Sequence, residues 1–323
     1  MKAISFLLFS VLLSRHALAQ SYNSQPTPAA TDKEPIKILV NNWSSQNILA
    51  KITGKIFNHL GYPVSYLTST VNEQWGALAY GSADIQVEIW EGTMITQYTH
   101  LLERGAIVDA GNHQSLTRED WWYPSYIEEL CPGLPDWRAL KDCSEIFSRP
   151  NSHGSGVFFA GPWEKPDEAK VRALGIDFIV NILKDSDEIW VELEAAYQKK
   201  LPVMIHNWSP NWVEARYDGK FVEFPTFHPD CETDPSWGVN KVFLYDCGNP
   251  KNGWLKKVAN TEFAENNTCA FNTLKNINFN NQQISETTAL VYIDAYSYEQ
   301  AADIWLNNNS DLWNSWIAKE CLK

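Results

Sequence analysis

The chain has 323 residues, with 26 basic against 39 acidic side chains and a formal net charge of −13. So acidic a surface is a poor partner for nucleic acid, whose phosphates must be met by Lys and Arg. No Walker loop, dinucleotide fingerprint, H-E-x-x-H or G-x-S-x-G occurs.

The first residues read as a targeting segment. Lys2 supplies the charged start, Ile4 to Leu13 an apolar run, and Ala17-Leu18-Ala19 a cleavage site before Gln20. The run is too short to span a bilayer, and no later stretch reaches the ~18 apolar residues a span needs. We expect a signal peptide over 1–19, a Ser/Pro/Thr/Ala-rich linker over 20–35, and an exported, periplasmic mature chain of about 300 residues.

Strands and helices then alternate. Ile36 to Val40 is a predicted strand, followed by a helix from about Ser45 to Leu60. A turn at Gly61-Tyr62-Pro63 leads to the strand Val64 to Leu67. Next come a helix over about Val71 to Tyr80 and the strand Ile85 to Ile89. The middle section repeats this order: an apolar Val157-Phe158-Phe159, helices over Glu168 to Leu183 and Glu188 to Lys199, and a short strand Pro202 to Ile205. Residues 228–252 read as loop. The tail reads as helices at about Gly253–Glu265, Phe271–Asn276, Ala289–Asn307 and Asp311–Cys321. Alternation of this kind predicts an α/β fold with a mostly parallel sheet. Without strands of its own, the tail must pack back on the first lobe. The expected lobes are 36–115 with 230–323, and 116–229.

Fifteen Trp is several times the usual share. Trp43, Trp90 and Trp208 each fall at the carboxyl end of a predicted strand, where ligands of open α/β sheets bind. An indole face suits a cation that has no N–H to donate, such as a methylated ammonium. Six Cys in an exported chain predict three disulfides, with fifteen possible pairings. Neighbour pairing is favoured: Cys131–Cys143, Cys231–Cys247 and Cys269–Cys321. A zinc site at His228, Cys231 and Cys247 lacks any C-x-x-C pair. The acidic loop Asp230, Glu232, Thr233, Asp234 offers oxygens for calcium but has no EF-hand spacing. No metal and no cofactor are therefore expected.

Several segments together carry a family resemblance: Ala83-Asp84-Ile85 with Glu88-Ile89-Trp90, Trp122-Tyr123-Pro124-Ser125-Tyr126, Pro132 to Trp137, Gly161-Pro162-Trp163, and Trp208-Ser209-Pro210-Asn211-Trp212. In these, residues 36–323 resemble the periplasmic substrate-binding proteins of glycine betaine/choline/trimethylamine N-oxide-type ABC importers. The resemblance implies a two-lobed periplasmic-binding-protein fold of type II kind with the ligand in the cleft. It also implies no catalytic role, and a membrane permease and ATPase as partners. Carried over position by position, it makes Trp43, Trp90, Trp122 and Trp208 the walls of an aromatic cage, with Tyr126 and Trp212 next. Trp163 and the remaining Trp read as structural. Asn211 stands where betaine-binding relatives often have His, and no Arg or Lys is placed near the candidate walls. Glu88, Glu91, Asp120, Glu128 and Glu129 are the carboxylates at hand, with Glu88 the foremost. That set favours choline or trimethylamine N-oxide over a ligand with its own carboxylate. The competing reading is an exported carbohydrate hydrolase with Trp platforms and Glu88 and Glu91 as paired carboxylates.

Overall fold

The computed structural model describes residues 34–163 and 165–322. The expected signal peptide, and the linker up to its last two residues, lie outside them. The first third follows the predicted order: β1 (Ile36–Val40), α1 (Ser44–His59), β2 (Val64–Thr68), α2 (Glu73–Ala79), β3 (Ile85–Trp90) and α3 (Glu91–Glu103). The turn after α1 is made by Gly61 at φ +76°, which a side chain would resist.

Then comes a strand that the sequence reading did not place. β4 (Ile107–Pro124) runs for 18 residues. It is followed by β5 (Pro132–Pro135), α4 (Leu140–Cys143), β6 (Gly156–Ala160), α5 (Asp167–Leu174), β7 (Phe178–Ile182), α6 (Ser186–Gln198), β8 (Met204–Ser209), α7 (Val213–Arg216), β9 (Gly219–Phe221) and β10 (Gly253–Asn260). The tail is α8 (Thr261–Asn266), α9 (Thr268–Asn276), α10 (Asn281–Tyr292), α11 (Tyr298–Asn308) and α12 (Ser310–Trp316).

Three expectations are corrected. The helix expected over Glu168 to Leu183 stops at Leu174, where Gly175 takes the left-handed C-cap at φ +62°, and β7 follows. The stretch Gly253–Glu265 is mostly the strand β10, so the tail does own a strand. The single helix expected over Ala289–Asn307 is the end of α10 and all of α11, separated by the Ser297 N-cap, whose hydroxyl accepts from Gln300 N–H.

The strand order is β2-β1-β3-β10-β4-β8-β6-β7, with β9 on β4. Pairing is parallel at β1 with β2 and β3, and at β6 with β7 and β8. It is antiparallel around β4, which pairs with β10 over residues 107–117 and with β8 over 118–122. One strand thus joins the two halves of the sheet. α10 and α11 pack on α1 in the first half, and α9 packs on β4 and β10. A separate aromatic core fills the outer side of the second half. There Trp121 stacks on Phe158 with ring centres 4.0 Å apart.

The three disulfides join Cys131 to Cys143, Cys231 to Cys247, and Cys269 to Cys321. No free cysteine remains among the described residues. Thiol titration of denatured, unreduced protein is expected to find no free thiol; two or more would contradict the pairing. No described helix is long and apolar enough to cross a membrane.

Candidate functional site

The parallel halves of the sheet point the carboxyl ends of β1, β3, β6 and β8 toward a common region. Trp43 and Trp90 stand there as N-cap residues of α1 and α3, each at a strand-to-helix junction. Trp208 is near the end of β8, and Trp163 lies three residues past β6. These four indoles line one cavity together with Thr93, Met94, Glu119 and His206. The cavity has about 280 Å³ of non-atom space, including its opening. Trp208 meets Trp163 edge-to-face at 5.3 Å between ring centres, and His206 lies 5.4 Å from Trp163. Trp43, Trp90 and Trp208 keep 5%, 3% and 4% of their surface exposed, so the cavity is largely closed to water.

Trp163, expected to be structural, and Glu119, outside the expected carboxylates, both line the cavity. The signal for Trp163 was the one used for the others, a Trp just past a strand. Glu119 was hidden because β4 was missed. On that strand His113, Ser115, Thr117 and Glu119 alternate inward. Period two then points Glu119 to the buried side.

Glu119 is the one carboxylate among the described lining residues. Thr93 Oγ1 donates to its Oε1 at 3.2 Å, and Lys165 Nζ lies 3.8 Å from the same oxygen. Burial raises its carboxyl above the usual range; Lys165 and Thr93 pull it back. A cation near the walls was not expected, so Lys165 is a correction. It faces Glu119 but is not among the residues that line the cavity. His206 is held neutral by burial, with Lys165 and Lys170 adding to the effect.

Glu88, the carboxylate most expected at the ligand, does not line the cavity. It lies fully buried behind two of the walls. Its Oε2 accepts from Trp43 Nε1 at 2.8 Å, Trp90 Nε1 at 3.0 Å and Ser45 Oγ at 2.9 Å. Beneath it, Gln86 donates to Asn41 Oδ1 and Gln74 Oε1, both at 2.6 Å, and accepts from Gln46 at 2.9 Å. This buried amide network fixes β1, β3 and α1 to one another, and so fixes the two indoles.

The other candidates lie elsewhere. Trp122 packs against Gly219 on β9, so closely that a side chain there would collide with its ring. Trp121 and Trp122 alternate on β4 and enter different cores; neither reaches the cavity. Tyr126 donates to Leu201 O at 2.8 Å beside Tyr197. Trp212 stacks on Tyr292 at 5.1 Å. Asn211 donates to Asn207 Oδ1 at 3.1 Å and accepts from Trp212 N–H at 2.7 Å, bracing its own loop. Glu91 accepts from Trp254 N–H at 3.0 Å. Asp120 holds Lys170 at 3.3 Å, and Glu128 holds Lys220 at 2.9 Å. Glu129 is exposed. Near Asp230, no group of three or more His, Cys, Asp or Glu among the described residues is arranged to hold a metal. Asp234 instead accepts from the Ser236 N–H and hydroxyl.

A small, dry, four-indole cavity between the halves of one sheet defines a solute-binding protein. A polymer-cleaving enzyme would need an open groove. The model of the substrate-binding domain of ABC-type glycine betaine transport systems matches residues 34–308, and the chain belongs to that family. It is 34% identical to a trimethylamine N-oxide-binding protein of Pelagibacter ubique, over 97% of this chain and 98% of that one. Its fold is similar to lactococcal OpuAC in a closed conformation with glycine betaine, with a TM-score of 0.67, 17% identity, and 89% and 100% of the two chains covered. It is also similar to a glycine betaine/L-proline-binding protein of Borrelia burgdorferi, with a TM-score of 0.70, 16% identity, and 89% and 98% covered. These neighbours show the two-lobed binding-protein fold. The hydrolase reading has no support in them.

Proposed function

We propose that this protein binds trimethylamine N-oxide in the four-indole cavity and delivers it to an ABC importer in the inner membrane from the periplasm. The observation that carries this reading is the chemistry of the cavity wall. Four indole faces suit three methyl groups on a positive nitrogen. The polar complement is one buried carboxyl with a raised pKa, a Thr hydroxyl and a neutral His. A protonated Glu119 can donate to an N-oxide oxygen. A betaine carboxylate would instead face Glu119, and the nearby cation, Lys165, is already paired with Glu119 at 3.8 Å, so a second carboxylate is costly in a dry site. The Pelagibacter relative, at 34% identity over nearly its whole length, supports the same ligand.

Tryptophan-fluorescence titration tests this. Trimethylamine N-oxide is expected to bind at least as well as choline, and at least tenfold more tightly than glycine betaine, ~1.4 kcal/mol. A tert-butyl analogue of equal shape and no charge is expected to bind far more weakly. A tenfold preference for glycine betaine would overturn the assignment of the polar end.

The cavity draws Trp43, Trp90, Thr93 and Met94 from one half of the sheet, and Trp163, His206 and Trp208 from the other. The proposed lobes, 36–115 with 230–323 and 116–229, therefore complete the site only when closed. Trp163 Nε1 donates to Asn42 Oδ1 across the cleft at 3.2 Å, and Tyr292 reaches Asp187 at 2.5 Å. Ligand must then shift the population toward closure. Small-angle scattering is expected to show a smaller radius of gyration with trimethylamine N-oxide than without. An unchanged radius would refute closure. One chain supplies every wall, so a monomer suffices.

A further inference from the structure

We infer that Glu88 is a positioning residue whose carboxylate charge, relayed through the Trp43 and Trp90 indoles, sets the affinity of the cavity for a cation and couples it to pH. This rests on the reading of the cavity as a methylated-ammonium site.

The geometry is specific. A single carboxylate oxygen receives both indole N–H groups and the Ser45 hydroxyl, while Oε1 has no partner among the described residues. A side-chain acceptor that serves only to hold two rings in place needs no charge; an amide carbonyl would do. A carboxylate behind the rings does more. It accepts the indole protons more strongly and polarises the rings, which makes their faces more negative. It also places a formal charge one ring away from the bound ammonium, in a region with little water to screen it.

Burial pushes this carboxyl up to about 7, with the three donors pulling it back. It therefore changes charge within the ordinary pH range. A cation in the cage favours the ionised form, and by reciprocity the ionised form favours the cation by the same factor. Affinity for a permanent cation must then rise as pH rises through about 7, and binding must release protons.

The neighbouring groups leave this role to Glu88. On β4, His113 is neutral by burial and bonded to Val87 O at 2.9 Å. On β10, Lys256 is held by Asp109 at 2.6 Å, and Lys257 donates to Asn112 O at 3.2 Å. On α1, Lys51 is paired with Glu299 at 2.8 Å. From α2, the neighbouring side chain is the neutral Gln74, through Gln86. The charged groups across the cavity are Glu119 and Lys165, 3.8 Å apart; the ionisation of Glu119 would give the same trend for a cation and must be removed in the test.

The experiment uses tetramethylammonium, a cation with no polar end, on the wild type, Glu119→Gln, Glu88→Gln and the double variant. Affinity is measured from pH 5.5 to 8.5, and proton release is measured by calorimetry in two buffers of different ionisation enthalpy. In the wild type and Glu119→Gln, affinity should rise about tenfold through pH 7 with protons released. Glu88→Gln keeps the acceptor and the cage geometry, so it should still bind, weakly, with the Glu88 part of the slope gone. In the double variant the Glu88 and Glu119 parts of the slope should both be gone, leaving only what Lys257 contributes, since burial pushes its ammonium down to about 7. A flat profile in Glu119→Gln, or an unchanged slope in Glu88→Gln relative to the wild type, overturns the inference. A flat Glu119→Gln profile overturns the inference even where the Glu88 variant folds poorly. Failure of the wild type to bind any methylated ammonium would instead overturn the function itself.

Discussion

Trp208→Ala is expected to weaken trimethylamine N-oxide binding about 30-fold, ~2 kcal/mol, the scale of a desolvated cation–π contact. Trp208 is the cleanest wall to remove. Its indole nitrogen has no hydrogen-bond partner among the described residues, so truncation frees no buried acceptor. Trp43→Ala and Trp90→Ala would also strip a donor from Glu88, and their larger losses would mix two effects. Trp163→Ala should behave like Trp208→Ala, with an added loss of the bond to Asn42. The informative contrast is Trp122→Ala. Trp122 is fully buried against Gly219 and away from the cavity, so its removal should cost stability, roughly 3–5 kcal/mol. The affinity of the protein that remains folded should change less than threefold. Chemical denaturation and titration together read both quantities. Full affinity in Trp208→Ala would refute the cavity as the ligand site, and a loss of about 30-fold in Trp122→Ala without unfolding would return Trp122 to the walls.

That contrast follows from what sequence can and cannot say. The strands β1, β2 and β3 were legible because each is a short apolar run closed by a turn signal. Trp43 and Trp90 at the carboxyl ends of β1 and β3 were then a physical clue, independent of any resemblance. β10 was not legible. Its segment Gly253 to Asn260 carries Lys256 and Lys257 in a row, and it pairs with residues 85–90 and 107–117, far away in the chain. Nothing local marks a strand whose partners lie 140 residues back. Lys257 is also fully buried, and burial pushes its ammonium down to about 7. A charged residue inside a sheet is the feature that local patterning reads as surface. β4 was missed because Asp109, Gly111, Asn112 and Gln114 resemble a loop; with it went the inward alternation that exposes Glu119 to the cavity. Carry-over by resemblance placed Trp122 at the wall because its segment matched, but its ring packs against Gly219 and its neighbour Trp121 enters the second core, so neither lines the cavity. Glu88 is expected from sequence among the carboxylates at the ligand; the structure places it behind two walls, because sequence does not show that two indole nitrogens point at it.

Glu88 is also expected to cost the protein stability, in a pH-dependent way that Glu88→Gln removes. Its carboxyl is raised from 4.5 to about 7, chiefly by burial. Below about pH 4.5 both the folded and the unfolded chain hold the proton, and the shift has no effect. Between about 4.5 and 7 the unfolded chain has lost its proton while the folded chain keeps it. Stability then falls as pH rises, by ~1.4 kcal/mol per pH unit. Above about 7 both forms are ionised and the folded chain carries the full penalty, roughly 3 kcal/mol from about 2.5 pH units. Gln cannot ionise, so the penalty is absent from Glu88→Gln at every pH. The amide NH₂ lacks a partner in the place of Oε1, but so does the hydroxyl of the protonated carboxyl, and that loss cancels when the two proteins are compared across pH. The stability of Glu88→Gln relative to the wild type should therefore rise by roughly 3 kcal/mol from pH 4.5 to pH 8, as read by denaturant midpoints without ligand. Parallel curves for the two proteins would mean that water or a shifted cleft solvates the carboxylate in the free protein. Adding tetramethylammonium should narrow the gap at pH 8, because the bound cation stabilises the charge that burial opposes. A cage that leaves a carboxylate poorly solvated when empty and better compensated when full ties its ligand affinity to its own instability.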